Sequence, residues 1–419
     1  MSAFINYVAD DVRGSPLNLA VVRVLLGTYV IWRVLSLEWA AYGEWPDFHV
    51  DETIGFLHQD FFFALLPYQQ WVVAGLLVLF VVGYRTRWTG GLASLLLMHM
   101  LSVKATIYLA GTVESLFVCA YLILMFALFA EDDRLSVDAF RRTSDRSLEE
   151  LNAVLTGETN RAYRTRALKW GLLAVGIVYV GSAWGKALNG PLEIWLSGAE
   201  LQRDILFYGE MTGIERPAGV PIVEHEWFAW AGFVGTALVQ VSLLAAVALG
   251  VSVTLPILGI IGFHVSVILT LGLYFIDMIL VLSLFAAWDV AYRRLAVDAD
   301  DEATVVYDDR CRACTRALVP LVHLDVTDSV RFVPRSDAPA ELVDRDADER
   351  EAALFLSHDG EVSEGYEAFR RLLGRFRLLT PIAWGLGVSP VRAVGTRLYE
   401  RAVPDRPRGT PDAPEPGRS

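Results

Sequence analysis

TVVYDDRCRACTRALVPLVHL, residues 304–324, decides the fold of the last third of the chain. Its first half is a β-branched run that ends in Asp308 and Asp309 and reads as a strand. Its second half has apolar residues at helical spacing, so it reads as a helix with Cys311 at its start. Between the two lies a Cys-x-x-Cys pair, Cys311 and Cys314. At a helix N-terminus, backbone N–H groups and the helix dipole favour a thiolate. Two intervening residues let Cys314 reach back and resolve a mixed disulfide. Arg310 and Arg312 add positive charge there, and Asp308 and Asp309 oppose it. Cys311, nearer the helix start, is the expected attacking thiol and the more exposed of the two. The other reading is half of a zinc site; it needs a second ligand pair, and His323 and His358 are what remain nearby. No metal is expected.

Working outward, VRFVP (330–334) and AALFLS (352–357) read as strands, and HDG (358–360) is a hairpin turn signal. YEAFRRLLGRF, PIAWGL and VRAVGTRLYERAV follow as helices. Strand, Cys-x-x-Cys, helix is a thioredoxin-like arrangement. A small α/β domain is therefore expected over 296–403, entered through the acidic linker AVDADDEA (296–303). The Pro-rich tail, 404–419, is expected to be disordered.

The preceding 295 residues are of another kind. The chain has 419 residues, 54% hydrophobic, and a mean hydropathy of +0.40, with the apolar residues in long runs. Eight runs approach the ~20 residues that cross a bilayer: about 17–37, 69–85, 89–109, 111–130, 167–186, 227–248, 252–271 and 273–290. The fold class is thus an α-helical polytopic membrane bundle of about eight spans (1–295) with the small α/β domain behind it. The arginines at 85 and 87, in the polar segment 143–165 with its short amphipathic helix, and at 293 and 294 all fall on one side. By the positive-inside rule that side is cytoplasmic, giving a multi-pass protein of the cell membrane with both termini inside. Loops 38–68 and 187–226, rich in aromatic and acidic residues, then face out. A formal net charge of −13 argues against a nucleic-acid partner. No removable signal peptide is evident in MSAFINYVADDVRGSP. Cys119, inside an apolar run, is a packing residue.

Of the 36 lysines and arginines, only Lys104, Lys169 and Lys186 are lysines. Lys186 sits in YVGSAWGKALNGPLEIWLSG (179–198), the stretch around which the chain is expected to be organised. It is either a snorkelling end-of-helix cation or a functional group. In the eight-span topology Lys104, Glu114, Lys186 and Asp277 share the outer half of the membrane, and His264 lies near mid-span. These are scattered interfacial residues or the walls of one polar cavity; the cost of unpaired charge at that depth favours the cavity. Arg23 and Arg33 place charge in the first run and need the bundle interior or a partner.

Two resemblances add to this. YDDRCRAC, RFVP and ALFLSHDGEVSEGYEAFRRLL resemble the DCC family of thiol-disulfide oxidoreductases, with its opening motif Y-D-G-x-C-x-x-C. Tyr307, Asp308, Cys311, Cys314, Asp359, Gly360, Gly365, Ala368 and Phe369 match, and Asp309 replaces a glycine. The membrane half resembles the HTTM domain of vitamin K-dependent gamma-carboxylase and its bacterial relatives. NLAVVRVLLG with Arg23, LFAEDDRLSVD with Leu135, Ser136 and Asp138, the stretch with Tyr179, Ala183, Lys186, Leu188, Trp195 and Gly198, and FHVSVILTLG with His264, Leu271 and Gly272 carry it. The resemblance implies a quinone of menaquinone or vitamin K type, with Lys186 as base and His264 stabilising an oxyanion. Arg23, Lys104, Glu114 and Asp277 are the expected cofactor contacts. The family's doubled lysine is single here, and the carboxylase's large extracytoplasmic domain is missing. The reading is a membrane oxidoreductase joining a quinone-related site to a cytoplasmic thiol-disulfide module, with the lipid membrane, a quinone and a thiol or disulfide protein as partners and a redox-active disulfide. The rivals are a gamma-carboxylase-like enzyme and a non-catalytic membrane scaffold or transporter.

Overall fold

The structure is a computed structural model that describes residues 16–44, 60–105, 115–129, 135–144, 146–157, 166–188, 192–213, 216–286, 288, 303–325, 329–338, 354–358, 361–376 and 379–402. Each of the eight apolar runs coincides with a helix. The first four are α1 (Pro16–Ser36), α2 (Asp60–Val82), α3 (Thr86–Ala105) and α4 (Ser115–Phe129). After them come two short helices, α5 (Val137–Ser144) and α6 (Leu148–Leu155), then α7 (Arg166–Leu188). The segment expected as an outer loop is largely helical: α8 (Leu192–Ser197), α9 (Ala199–Thr212) and α10 (Val220–Glu224). The last three apolar runs are α11 (Glu226–Leu249), α12 (Thr254–Leu271) and α13 (Ile276–Ser283).

Among the described residues, five of these helices are long and apolar enough to cross a membrane: α1, α2, α7, α11 and α12. This is fewer than the eight expected. α4 is apolar but short, α13 has eight residues, and α3 carries polar residues along its length. The second run is longer than expected, because α2 begins at Asp60. In α11 and α12 the mean hydropathy is 2.0 while only 22% of each apolar window is buried. Leu238 and Leu249 of α11 and Leu255 and Leu258 of α12 are among the exposed apolar side chains, as on helices with lipid neighbours.

Contacts divide the chain into two compact units, 1–138 with 163–289, and 139–162 with 290–419. The expected single boundary near 295 is thus crossed by an insertion: residues 139–162 fold with the C-terminal unit. In the first unit, Leu26, Leu77, Phe80, Leu97 and Ile123 are fully buried in one core. Phe80 occupies the space left by Gly27 and Gly90, where a Cβ would press on its ring. Small residues of this kind let helices approach closely.

The second unit is built on a mixed four-stranded sheet of order β2-β1-β3-β4. The strands are β1 (Ala303–Tyr307), β2 (Val330–Pro334), β3 (Leu354–His358) and β4 (Glu361–Glu364). β1 runs parallel to β2, with Val305 opposite Phe332, and antiparallel to β3, with Val305 opposite Leu356. β3 and β4 form the hairpin expected at the HDG turn, pairing His358 with Glu361; Asp359 and Gly360 themselves lie outside the described residues. Among the described residues, four helices follow β1 in the chain: α14 (Arg312–Leu324) between β1 and β2, then α15 (Gly365–Arg375), α16 (Thr380–Leu386) and α17 (Ser389–Ala402). Leu318 and Leu321 of α14 and Leu372 and Leu373 of α15 pack with the sheet residues Val305, Tyr307 and Leu356.

The same core takes Leu151 and Leu155 from α6. That helix is started by a full capping box: Glu150 N donates to Ser147 Oγ (3.3 Å) and Ser147 N donates to Glu150 Oε2 (3.0 Å). Its stripe of Leu151, Val154 and Leu155 is buried. An eight-residue helix is marginal alone; burial against the sheet domain supplies what propensity does not.

Candidate functional site

The hydrophobic strand β1 delivers the chain to the Cys-x-x-Cys loop. Asp308 O accepts from Cys311 N (3.2 Å), and Asp308 Oδ1 accepts from Arg310 N (3.0 Å), so a tight turn joins strand to helix. Cys311 is the N-cap of α14, with extended backbone, φ −90° and ψ 101°. Its Sγ accepts from Cys314 N at 3.2 Å. Cys311 and Cys314 stand at disulfide distance, with Cα atoms 5.3 Å apart. Thr315, fully buried, donates from Oγ1 to Cys311 O (3.0 Å) and fixes the first turn.

The relative exposure of the two cysteine residues reverses the expectation. Cys311 is 7% exposed, whereas Cys314 is half-buried. The cause is the cap itself: an extended N-cap residue turns its side chain back over the first helical turn, toward the N–H it accepts.

The loop is also held from outside the Cys-x-x-Cys segment. Asn152 of α6 donates from Nδ2 to Asp309 O (3.0 Å), and Arg312 donates to Arg146 O (3.2 Å). Both contacts join residues more than 150 positions apart. Sequence reading found the amphipathic helix but not its partner. The signal was present in Ser147-x-x-Glu150 and the Leu148, Leu151, Leu155 spacing; nothing local said which core would receive it. Away from the loop, the Arg370 guanidinium holds the Glu367 carboxyl below the usual carboxylate range, and Arg392 of α17 stands 3.8 Å from the same carboxylate. Among the described residues no three His, Cys, Asp or Glu side chains converge on one point.

In the first unit the expected residues are distributed differently. Arg23 is fully buried and donates to backbone carbonyls, Phe80 O (2.9 Å), Val81 O and Leu135 O (2.7 Å). It thereby caps the end of α2 and ties it to the LSVD segment. At the same junction, Gly83 (φ +73°) lies where a Cβ would strike Ser136. The Asp138 carboxylate accepts from Arg85 N and Thr86 N, both 2.8 Å, and so caps α3. Two motif segments separated by a hundred residues are thus one structural joint. Asp277 pairs with Arg33 at 3.7 Å; sequence reading noted Arg33 but not this pairing. Lys104 is buried near the end of α3. His264 is buried on α12, and its Nε2 and the buried Tyr179 hydroxyl are 2.6 Å apart. That contact joins two further motif segments, α7 and α12. Lys186 belongs to α7, but its side chain lies outside the described residues, as does Glu114 altogether.

Residues 305–410 match the DCC1-like thiol-disulfide oxidoreductase family. No curated protein and no solved structure matches the chain. The matched stretch begins inside β1 and takes in the Cys-x-x-Cys loop and α14 to α17. It is a DCC1-like domain, and it supports a thiol-disulfide redox role for this unit.

Proposed function

We propose that the chain is an integral membrane thiol-disulfide oxidoreductase whose reacting groups are Cys311 and Cys314. The observation that carries this is the Cys311–Cys314 pair at the N-terminus of α14, inside a DCC1-like stretch. The sheet order β2-β1-β3-β4, with the pair on the helix after β1, is what a thioredoxin-like domain requires. In the reduced protein, the N–H of Cys314 directed at Cys311 Sγ favours a thiolate on Cys311. That thiolate attacks a partner disulfide, forming a mixed disulfide and releasing one partner thiolate. Cys314, as thiolate, then attacks Cys311 Sγ and releases the second. Two electrons pass to the partner and the pair closes as a disulfide; the reverse sequence oxidises a dithiol partner. Equilibration of the full chain against glutathione buffers tests the reading. The pair should oxidise as one two-electron couple, and two independently titrating thiols would refute it.

The proposal extends to α1–α4, α7 and α11–α13 as eight membrane spans, the even number that leaves both termini cytoplasmic; it rests on the length and hydropathy of α1, α2, α7, α11 and α12 and on the arginine distribution. A quinone-type ligand in that bundle rests on the HTTM-like motifs. Such a ligand would supply two-electron redox chemistry when bound. His264 with Tyr179 offers it a buried imidazole–phenol pair. Arg23 is engaged by backbone carbonyls, and Asp277 stands beside Arg33. Mass spectrometry of small molecules that copurify with the protein tests this part; absence of any quinone from protein purified in native lipid would refute it.

A further inference from the structure

We propose that α16 and α17 form a lipid-docking face, on which the redox unit lies against an anionic membrane surface. In this unit, among the described residues, large apolar side chains are exposed at Phe140 and otherwise only at Ile382, Trp384, Val388, Val391, Val394 and Leu398. Trp384 is 80% exposed and Leu398 58%. Apart from Phe140, the exposure therefore falls within one stretch of seventeen residues rather than being scattered, and scattered exposure would need no explanation.

The geometry of α17 accounts for it. One side of the helix is spent on α15. Tyr366 fills the space beside Gly395, Tyr399 lies against Gly365, and Arg392 reaches Glu367 at 3.8 Å. Next to the edge that carries Gly395 and Tyr399, Val391, Val394 and Leu398 are exposed and follow the i, i+3, i+7 spacing of a single helical stripe. Arg397 and Arg401, both exposed, flank that stripe along one edge, Arg401 three residues beyond Leu398 and Arg397 three beyond Val394. A helix with an apolar stripe, an arginine edge and a neighbouring exposed tryptophan has the chemistry of a bilayer interface with anionic lipid. Continuity of the chain points to the same occupant. Residues 139–162 of this unit lie in sequence between the apolar helices α4 and α7, and residues from 290 follow α13.

The inference rests on reading the apolar helices as membrane spans, and its test separates the two. The full chain carrying Cys119→Ala, Cys311→Ser and Cys314→Ser is reconstituted into vesicles of phosphatidylcholine with phosphatidylglycerol. One introduced cysteine carries an environment-sensitive fluorophore, and lipids with acyl-chain nitroxides are the quencher. Leu398→Cys should be quenched and Arg331→Cys, at an exposed position of β2, should not. Leu255→Cys, outward on α12, should be quenched whatever the redox unit does. Each arginine at an anionic surface is worth about fivefold in partition, so Arg397→Glu with Arg401→Glu should remove most of the quenching at 398. The proposal is overturned if 398 is unquenched while 255 is quenched, if phosphatidylcholine alone gives the same quenching, or if Leu398→Cys crosslinks two copies and so marks a self-interface. An unquenched label at 255 overturns instead the reading of the helices as spans. In the chain with its own cysteines, the amides of 389–402 should exchange more slowly in anionic vesicles than in neutral detergent; equal exchange would also overturn the docking face.

Discussion

Replacing Leu151 with alanine should destabilise a sheet whose first strand lies 150 residues further along the chain. Leu151 is fully buried and shares a core with Val305, Tyr307, Leu318 and Leu356. Truncating a buried leucine costs about 2–5 kcal/mol, through lost transfer energy and the cavity left behind. Taking about 3 kcal/mol as the middle of that range, the population of opened redox units rises roughly a hundredfold, at 1.4 kcal/mol per decade. Hydrogen exchange of the full chain in detergent reads this directly. Amides of β1 pair with both neighbouring strands and should report global opening of the unit. Their exchange should accelerate by about two orders of magnitude in Leu151→Ala. Ser147→Ala, which removes only the capping box, costs about 1 kcal/mol and should accelerate it about fivefold. If Leu151→Ala speeds exchange within α6 while β1 is unchanged, residues 148–155 are not part of the redox core and the two-segment unit is wrong.

Two further outcomes follow from the hydrogen bonds and ion pairs described above. Asp138→Ala removes the carboxylate that caps α3 and should lower the stability of the first unit by about 1–2 kcal/mol, seen as a lower Tm in detergent, with Asp138→Asn closer to the parent; equal melting of all three would show that the cap contributes nothing. The depressed ionisation of Glu367, caused first by its hydrogen bond from Arg370, gives stability that is present above the ordinary glutamate range of about pH 4.3 and is lost as pH falls through the lower folded value. Proteolytic nicking of α17 should therefore rise only below that range, and Glu367→Gln should flatten the dependence; a rise near neutrality would exclude Glu367 as its source.

Much of the redox unit was legible because its signals are local. The β-branched run before Cys311, the Cys-x-x-Cys spacing and the HDG turn each specify their own element, and the strands and hairpin fall where they point. The location of apolar helices was legible for the same reason. What the sequence did not show is what joins distant segments. The contribution of α6 to the sheet core depends on Leu151 and Leu155 finding one of two available cores. Arg33 could have met several acids before Asp277. Arg23 read as a charge that needs the bundle interior or a partner, and it donates to the main-chain carbonyls of Phe80, Val81 and Leu135, which no side-chain pattern announces. The reversed exposure of Cys311 and Cys314 came from the N-cap conformation, a backbone property finer than the strand-to-helix assignment.

The most direct test of the redox claim is trapping by single-cysteine variants of the full chain. Cys314→Ser should accumulate a stable mixed disulfide on Cys311 when exposed to a disulfide substrate, because the resolving thiol is gone, while Cys311→Ser should accumulate little. The account predicts that mass spectrometry finds the adduct on Cys311 and that the parent chain clears it. Adduct forming first on Cys314 would reverse the assigned roles, and no adduct on either variant would contradict the assignment of thiol-disulfide chemistry to this pair.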